Sequence, residues 1–307
     1  MFIYIILLIQ TLIASGTHIV AKVVVEDVDS VTLTFLRSMI AGTGLLILFL
    51  IREKHIRVER ADWMKVILLG ALAIPLNQFA FLIAIGLTTP SNAALFYATT
   101  PVFVMILSSL LIRERVFLFA KIGVVVGFVG IAIVIFERGV DFASDYTIGN
   151  LLMLVAVSAW GLYTVLGRPL VLKYGSFHIA SLSMIIGAIM FIPIGVIPAI
   201  KFDYSTIGMA HIYGLLYLGI GTSIIAYFLW YYALGRIEST KVAVFTYLQP
   251  VVTTILAVII LGQIITAQFI GGAAIALIGV VLVQSARSLN NVREKKNQNK
   301  FSVNKKQ

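Results

Sequence analysis

The chain repeats itself, and that repeat constrains the fold more than any local pattern does. Gly70 aligns with Gly219, Ala84 with Ala233, Gly86 with Gly235, Phe96 with Phe245, Pro101 with Pro250, Gly123 with Gly272 and Gly130 with Gly279, each pair 149 residues apart. Nearer the starts of the halves the spacing is 145, as in Gly16 with Gly161 and Ser38-Met39-Ile40 with Ser183-Met184-Ile185. The second copy therefore carries a four-residue insertion. A duplicated sequence folds as two like units.

Hydropathy says what each unit is made of. With 60% hydrophobic residues, 12% charged and a mean hydropathy of +1.04, the chain departs from soluble proteins, in which charged residues make up about 25%. A helix needs about 20 apolar residues to cross a hydrocarbon core of about 30 Å. Stretches of that kind cover 2–25, 31–51, 64–86, 91–112, 117–136, 149–169, 177–199, 207–232, 240–261 and 265–285. Runs such as 122–136 are apolar on every side, which suits helices and not the alternating strands of a barrel. Five spans per half is an odd number, so the second copy is upside down. The expected fold is an all-α membrane protein of ten transmembrane helices in two inverted five-helix repeats. The repeats cover 1–140 and 145–286, and a basic tail follows at 287–307.

The net charge of +10 raises nucleic acid as a partner until its distribution is read. With the N-terminus inside, nineteen basic residues fall in inner loops and tail, from Arg52, Lys54 and Arg57 through Arg113, Arg115 and Lys173 to the tail lysines. Only Lys22, Arg138 and Lys201 fall outside. This positive-inside bias places both termini in the cytoplasm of a plasma membrane, such as a bacterial inner membrane. The tail is expected to be solvated and disordered, and no nucleic-acid partner is implied. The first span is too long for a signal core and lacks a basic lead, so it is expected to be retained. The absence of cysteine removes disulfides, thiolate metal sites and thiol catalysis. His18, His55, His178 and His211 are scattered, no carboxylate pair lies within the spans, and no Gly-rich nucleotide loop is present. No enzyme activity, metal or cofactor is expected.

Ser91-Asn92-Ala93-Ala94-Leu95, then Thr100-Pro101-Val102-Phe103 and Arg113-Glu114-Arg115, resemble the EamA repeat of the drug/metabolite transporter superfamily. The second copy has the same layout, from Thr240-Lys241-Val242-Ala243 through Gln249-Pro250-Val251 to Leu261-Gly262-Gln263, and Trp160-Gly161 opens it as Ser15-Gly16 opens the first. The resemblance covers nearly all of residues 5–285. It implies a ten-helix secondary carrier of small organic solutes, such as amino acids, metabolites or amphipathic drugs, often exported. Inverted repeats suit alternating access, in which one half rocks on the other around a midplane site. The alternatives are a channel-like facilitator and a non-transporting scaffold. Glu114, replaced by Gln263 in the second copy, is expected to be an ion-pair anchor for Arg113 or Arg115.

Matched helix breaks locate the candidate cavity, because a broken helix in lipid must satisfy its backbone around a polar space. Pro101 and Pro250 lie near the middle of their spans, each expected to kink its helix. Tyr97 and Thr100 accompany the first, and Thr246, Tyr247 and Gln249 the second. Pro75 with Asn77 and Gln78 is matched by Gly221, Thr222 and Ser223 leading to Tyr227, Trp230 and Tyr231. Thr11, Ser15, His18 and Lys22 form one stripe of the first span. His18 is a candidate proton relay, and an ion such as a proton is the candidate coupling partner; Trp160 and Tyr163 line the equivalent helix. Arg37 lies about 10 Å inside the second span by helical rise and either clamps a solute carboxylate or pairs with Asp27 or Asp29. Lys22 is a second candidate charge partner. Gly123, Gly127, Gly130, Gly271, Gly272 and Gly279 read as close helix contacts.

Overall fold

The computed structural model describes residues 2–52, 57–88, 93, 96–136, 144–261 and 266–304. Side chains at 131, 134–136, 144–146, 254, 257–261, 269 and 287–304 are not described. Ser91, Asn92, Ala94, Leu95, Arg138, Gly262 and Gln263 fall outside the described residues.

Uninterrupted apolar sequence becomes helix, in the order α1 Phe2–Val24, α2 Ser30–Ile51, α3 Arg60–Leu87, α4 Thr100–Leu111 and α5 Leu118–Phe136. The second copy follows with α6 Ser144–Tyr174, α7 Ser176–Lys201, α8 Met209–Leu234, α9 Ser239–Ala243, α10 Leu248–Leu261 and α11 Ala267–Asn304. Among the described residues, α1, α2, α3, α6, α7 and α8 are long and apolar enough to cross a membrane, while Phe96–Leu111, Leu118–Gly130 and Ile270–Ala286 are shorter apolar helices. Asp29 Oδ1 starts α2 by accepting from the N–H groups of Val31 and Thr32 at 3.1 and 2.9 Å. Gly175, at φ +86°, makes the sharp turn from α6 to α7 that a residue with a Cβ resists.

Polarity runs inside out relative to a soluble protein. Leu12, Ile47, Leu50, Val125, Ile197 and Ile200 are exposed, whereas Gln10, Ser15, His18, Arg37, Asn77, Gln78 and Ser223 are buried. Such an apolar exterior is what lipid covers. Equivalent helices of the two copies pack on one another: α2 on α7, and α5 along α11. A Cβ on Gly130 would meet the backbone of Gly272 and Ala276, and one on Gly279 the backbone of Gly127. Among the described residues nothing lies within 4 Å of a Cβ on Gly271, unlike Gly123, Gly127, Gly130 and Gly279.

Three further expectations are corrected. Residues 287–304 continue α11 instead of forming a disordered tail; they contain neither Gly nor Pro to stop the helix. Pro101 and Pro250 do not kink continuous helices. They lie in the first turns of α4 and α10, behind a turn at Thr99 and a 3₁₀ segment at Val244–Tyr247, where a missing N–H costs nothing because it has no partner to lose. Glu114 pairs with Arg168 of α6 at 3.1 Å, not with its sequence neighbours. Arg113 at φ +52° and the Glu114 N–H bond to Ser108 O turn the chain so that the carboxylate faces α6.

Candidate functional site

Two matched segments of loosened helix open a cavity between the copies. In α3 the i→i−4 pattern widens to a π segment at Leu72–Gln78. Pro75 has no N–H to offer, and its ring would press on the carbonyl one turn back, so the chain widens and Phe79 N–H reaches Ile74 O, five residues earlier. The repeat puts residues 221–227 opposite that segment, and Tyr217–Ala226 of α8 is a second π segment. No proline drives it. Thr222 and Ser223 hydroxyls donate to the carbonyls of Tyr217 and Leu218 at 3.5 and 2.9 Å, each five residues back.

The widened turns aim side chains inward. Tyr227 OH donates to Asn77 Oδ1 at 2.7 Å, and Asn77 Nδ2 donates to Tyr97 OH at 3.1 Å and to Ala156 O at 2.8 Å. From α1, Gln10, Ala14, Thr17 and His18 present one helical face. Thr17 Oγ1 lies 2.8 Å from Thr222 Oγ1, and His18 Nε2 lies 3.5 Å from Gln249 Oε1. The His18 ring stands edge-on to Phe81 and Tyr97, at centroid distances of 5.5 and 5.4 Å. Arg37 of α2 completes the lining, 1% exposed, with Nε and Nη2 donating to Ser223 Oγ at 3.3 and 3.0 Å. Both copies contribute, and the cavity volume is about 60 Å³.

Of the expected site residues, His18, Arg37, Asn77, Gln78, Tyr97, Trp160, Tyr227 and Gln249 come together on this wall. The others lie elsewhere. Tyr163 bonds Ser183 Oγ at 3.0 Å, Trp230 Nε1 donates to Thr164 Oγ1 at 3.0 Å, and Tyr231 OH donates to Tyr163 O at 3.1 Å. These rings form a packed aromatic layer behind Trp160 and Tyr227. Tyr247 lies on Gly127, its hydroxyl donating to Val124 O at 2.7 Å, and Thr246 Oγ1 turns back to Ala243 O at 2.9 Å. Thr100, Pro101 and Pro250 are buried without lining the cavity, and Pro75 is half-buried. Lys22 Nζ sits at 3.3–3.5 Å from the carbonyls of Ile85, Gly86 and Thr88, where it caps the C-terminal end of α3 and is removed from the cavity. Arg37 pairs with neither expected loop acid: Asp29 caps α2, and Asp27 Oδ2 lies 2.8 Å from His211 Nε2.

Gln10, Thr17 and Phe81 line the cavity without having been singled out. Gln10, next to Thr11, is the first amide in an otherwise apolar run, which is a signal in itself. Thr17 falls one position off the stripe of Thr11, Ser15, His18 and Lys22. Phe81 is the repeat partner of Trp230, and nothing in its own neighbourhood marks it.

Charged groups gather at the ends of the bundle. Where α2 leads to α3, Asp62 Oδ2 accepts from Lys173 Nζ at 2.9 Å and Tyr174 OH at 2.8 Å, and Glu59 holds the same lysine at 2.7 Å. Glu114 with Arg168 lies at that end too, and accepts from Ser239 N at 2.9 Å. At the opposite end stands the Asp27–His211 pair.

The model of the family described as "EamA-like transporter family" matches residues 1–136 and again 147–285. An uncharacterized transporter of Archaeoglobus fulgidus is 29% identical, over 83% of this chain and 87% of that one. A probable terminal-alkyne amino-acid exporter of Streptantibioticus cattleyicolor is 28% identical over 66% of each chain. A solved crystal structure covers 92% of this chain and 98% of its own with a TM-score of 0.72 at 22% identity, a likeness of fold.

Proposed function

Since this chain belongs to the EamA-like transporter family, we propose that it is a plasma-membrane secondary carrier that moves small organic solutes by alternating access, most readily outward. The observation that carries this reading is a cavity of mixed polar and aromatic lining, contributed by both copies and set against the two π segments. A solute held between two units is released to either side as they rock, without a through-going pore. The amino-acid exporter among the relatives agrees with this substrate range.

Ten crossings with an inverted second copy are part of the proposal. The contacts at the two ends support it: α1 ends beside Asp27 and its partner His211, while the equivalent α6 ends at Tyr174, beside Asp62 at the other end of the bundle. Helices that then alternate up and down bring the start of α1 and the end of α11 to one side, and the positive-inside bias makes that side cytoplasmic.

Flux in proteoliposomes tests the proposal. The expected result is saturable, gradient-driven uptake with counterflow for at least one member of a panel of amino acids, organic acids and amphipathic cations. Absence of flux under every gradient would sink it, and unsaturable conductance would favour a channel. In the same assay His18→Ala is expected to abolish uptake driven by a pH gradient and to spare solute exchange. An unchanged pH response removes His18 as the relay.

A further inference from the structure

We propose that the cavity is a carboxylate-selective site in which Arg37 is the anchor. This names the solute class for the carrier reading above and rests on it. Among the described residues Arg37 is spent on only one neutral partner: Nε and Nη2 share the Ser223 hydroxyl, while Nη1, shielded from solvent, makes no hydrogen bond. Ser223 is itself held, donating to Leu218 O at 2.9 Å within the π segment of α8, so it orients the guanidinium without neutralising it. None of the described side chains lining the cavity is acidic.

Among the described residues, four acids near the bundle are engaged away from Arg37. Asp27 is with His211, Asp29 with the start of α2, Asp62 with Lys65, Lys173 and Tyr174, and Glu114 with Arg168. An arginine within a membrane span costs at least about 2.5 kcal/mol unless it finds a partner or water. A carboxylate is the planar, two-oxygen anion that a guanidinium recognises best. Arg37 is also one-sided, since the repeat places Leu182 in the equivalent position. The site therefore has one cationic pole.

The rest of the wall fits the remainder of such a solute. Phe81, Tyr97, Trp160 and Tyr227 offer aromatic surface to an apolar body. Gln10 Oε1 and His18 Nδ1 are buried atoms with no hydrogen-bond partner among the described residues; the amide oxygen is an acceptor for an ammonium or hydroxyl group. The volume of about 60 Å³ is far below the roughly 300–1,000 Å³ of drug-sized pockets. It selects a small solute and requires the halves to part for a larger one.

Thermal shift of the purified, detergent-solubilised protein tests the class without requiring transport. The probes share one skeleton: 4-methylpentanoate, leucine, isopentylamine and 4-methylpentanamide, with the phenylpropanoate series beside them. Carboxylate-bearing probes are expected to raise the melting temperature, and the amine and amide to leave it unchanged. Leucine outperforming 4-methylpentanoate assigns a zwitterion, and the reverse assigns a simple carboxylate. Arg37→Gln is expected to weaken carboxylate binding by about 30-fold or more, since a buried charge partner is lost. The ligand-free protein should melt no lower than before, because an uncompensated charge has been removed. Arg37→Lys keeps the charge, loses the fork and is expected to bind between the two.

If the amine or amide protects as well as the carboxylate, or no carboxylate protects, the assignment is overturned, and that comparison needs no variant to fold. Flux of amines or neutral solutes without carboxylate binding would remove this assignment and keep the carrier. Carboxylate binding with no flux under any gradient would do the opposite.

Discussion

Gly130 of α5 lies against the backbone of α11, where an added Cβ would meet Gly272 O at 2.7 Å and the nitrogen of Ala276. Backbone cannot step aside as a flexible side chain can, so Gly130→Ala is expected to separate the two helices and destabilise the fold by about 1–3 kcal/mol. Gly271→Ala is the control: among the described residues nothing lies within 4 Å of the new Cβ, and the change is expected to be neutral or stabilising by up to about 1 kcal/mol. Melting temperatures of the two variants in detergent check the pair, and equal losses would mean that close approach is not what selects glycine at 130. Both glycines look alike in the sequence, where each belongs to an apolar helix with small residues at intervals. Which one touches a neighbour depends on rotation about the helix axis, a quantity that apolar sequence leaves loose. The same looseness explains α1, where the polar stripe was legible but the face on the cavity is Gln10, Ala14, Thr17 and His18.

Among the elements, α6 ties the two copies at one end. Its Arg168 holds Glu114, and its Lys173 and Tyr174 hold Asp62, all contacts from the second copy to the first. An opening toward that end that separates α6 from the first copy would part these pairs. Arg168→Gln leaves Glu114 with the Ser239 N–H alone, and is expected to shift the population toward the open form, since removing one member of a partly buried pair strands the other. The chain has no cysteine, so a single Ala14→Cys in the cavity wall reports access cleanly. Its maleimide labelling is expected to speed up by about tenfold in the Arg168→Gln background, a shift of about 1.4 kcal/mol. Unchanged labelling would show that this end is not the gate. The π segments belong to this scale as well. Pro75 pointed to a break in α3, but its form as a π turn, and the proline-free counterpart in α8, come from hydroxyl and backbone bonds to carbonyls five residues back.

For the whole molecule, the proposed inversion makes a topological prediction. Single cysteines at Thr206, between α7 and α8, and at Val58, between α2 and α3, are expected to react with impermeant reagents on opposite faces of a membrane, with Thr206 outside. Labelling of both from one face would break the inverted arrangement, and with it the argument for alternating access. The duplication, the helical spans and the membrane were legible in sequence because they depend on composition and on spacing along one chain. Hydropathy needs no partner to be read, and a repeat is its own alignment. Pairing is different. That Glu114 meets Arg168, that Lys22 caps α3, that Trp230, Tyr231 and Tyr247 pack behind the cavity, and that Arg37 stands in it with one nitrogen free were decided by tertiary structure alone. In lipid every helix is apolar enough to face any other, so hydropathy does not choose among neighbours; close packing of small residues and the few buried hydrogen bonds do.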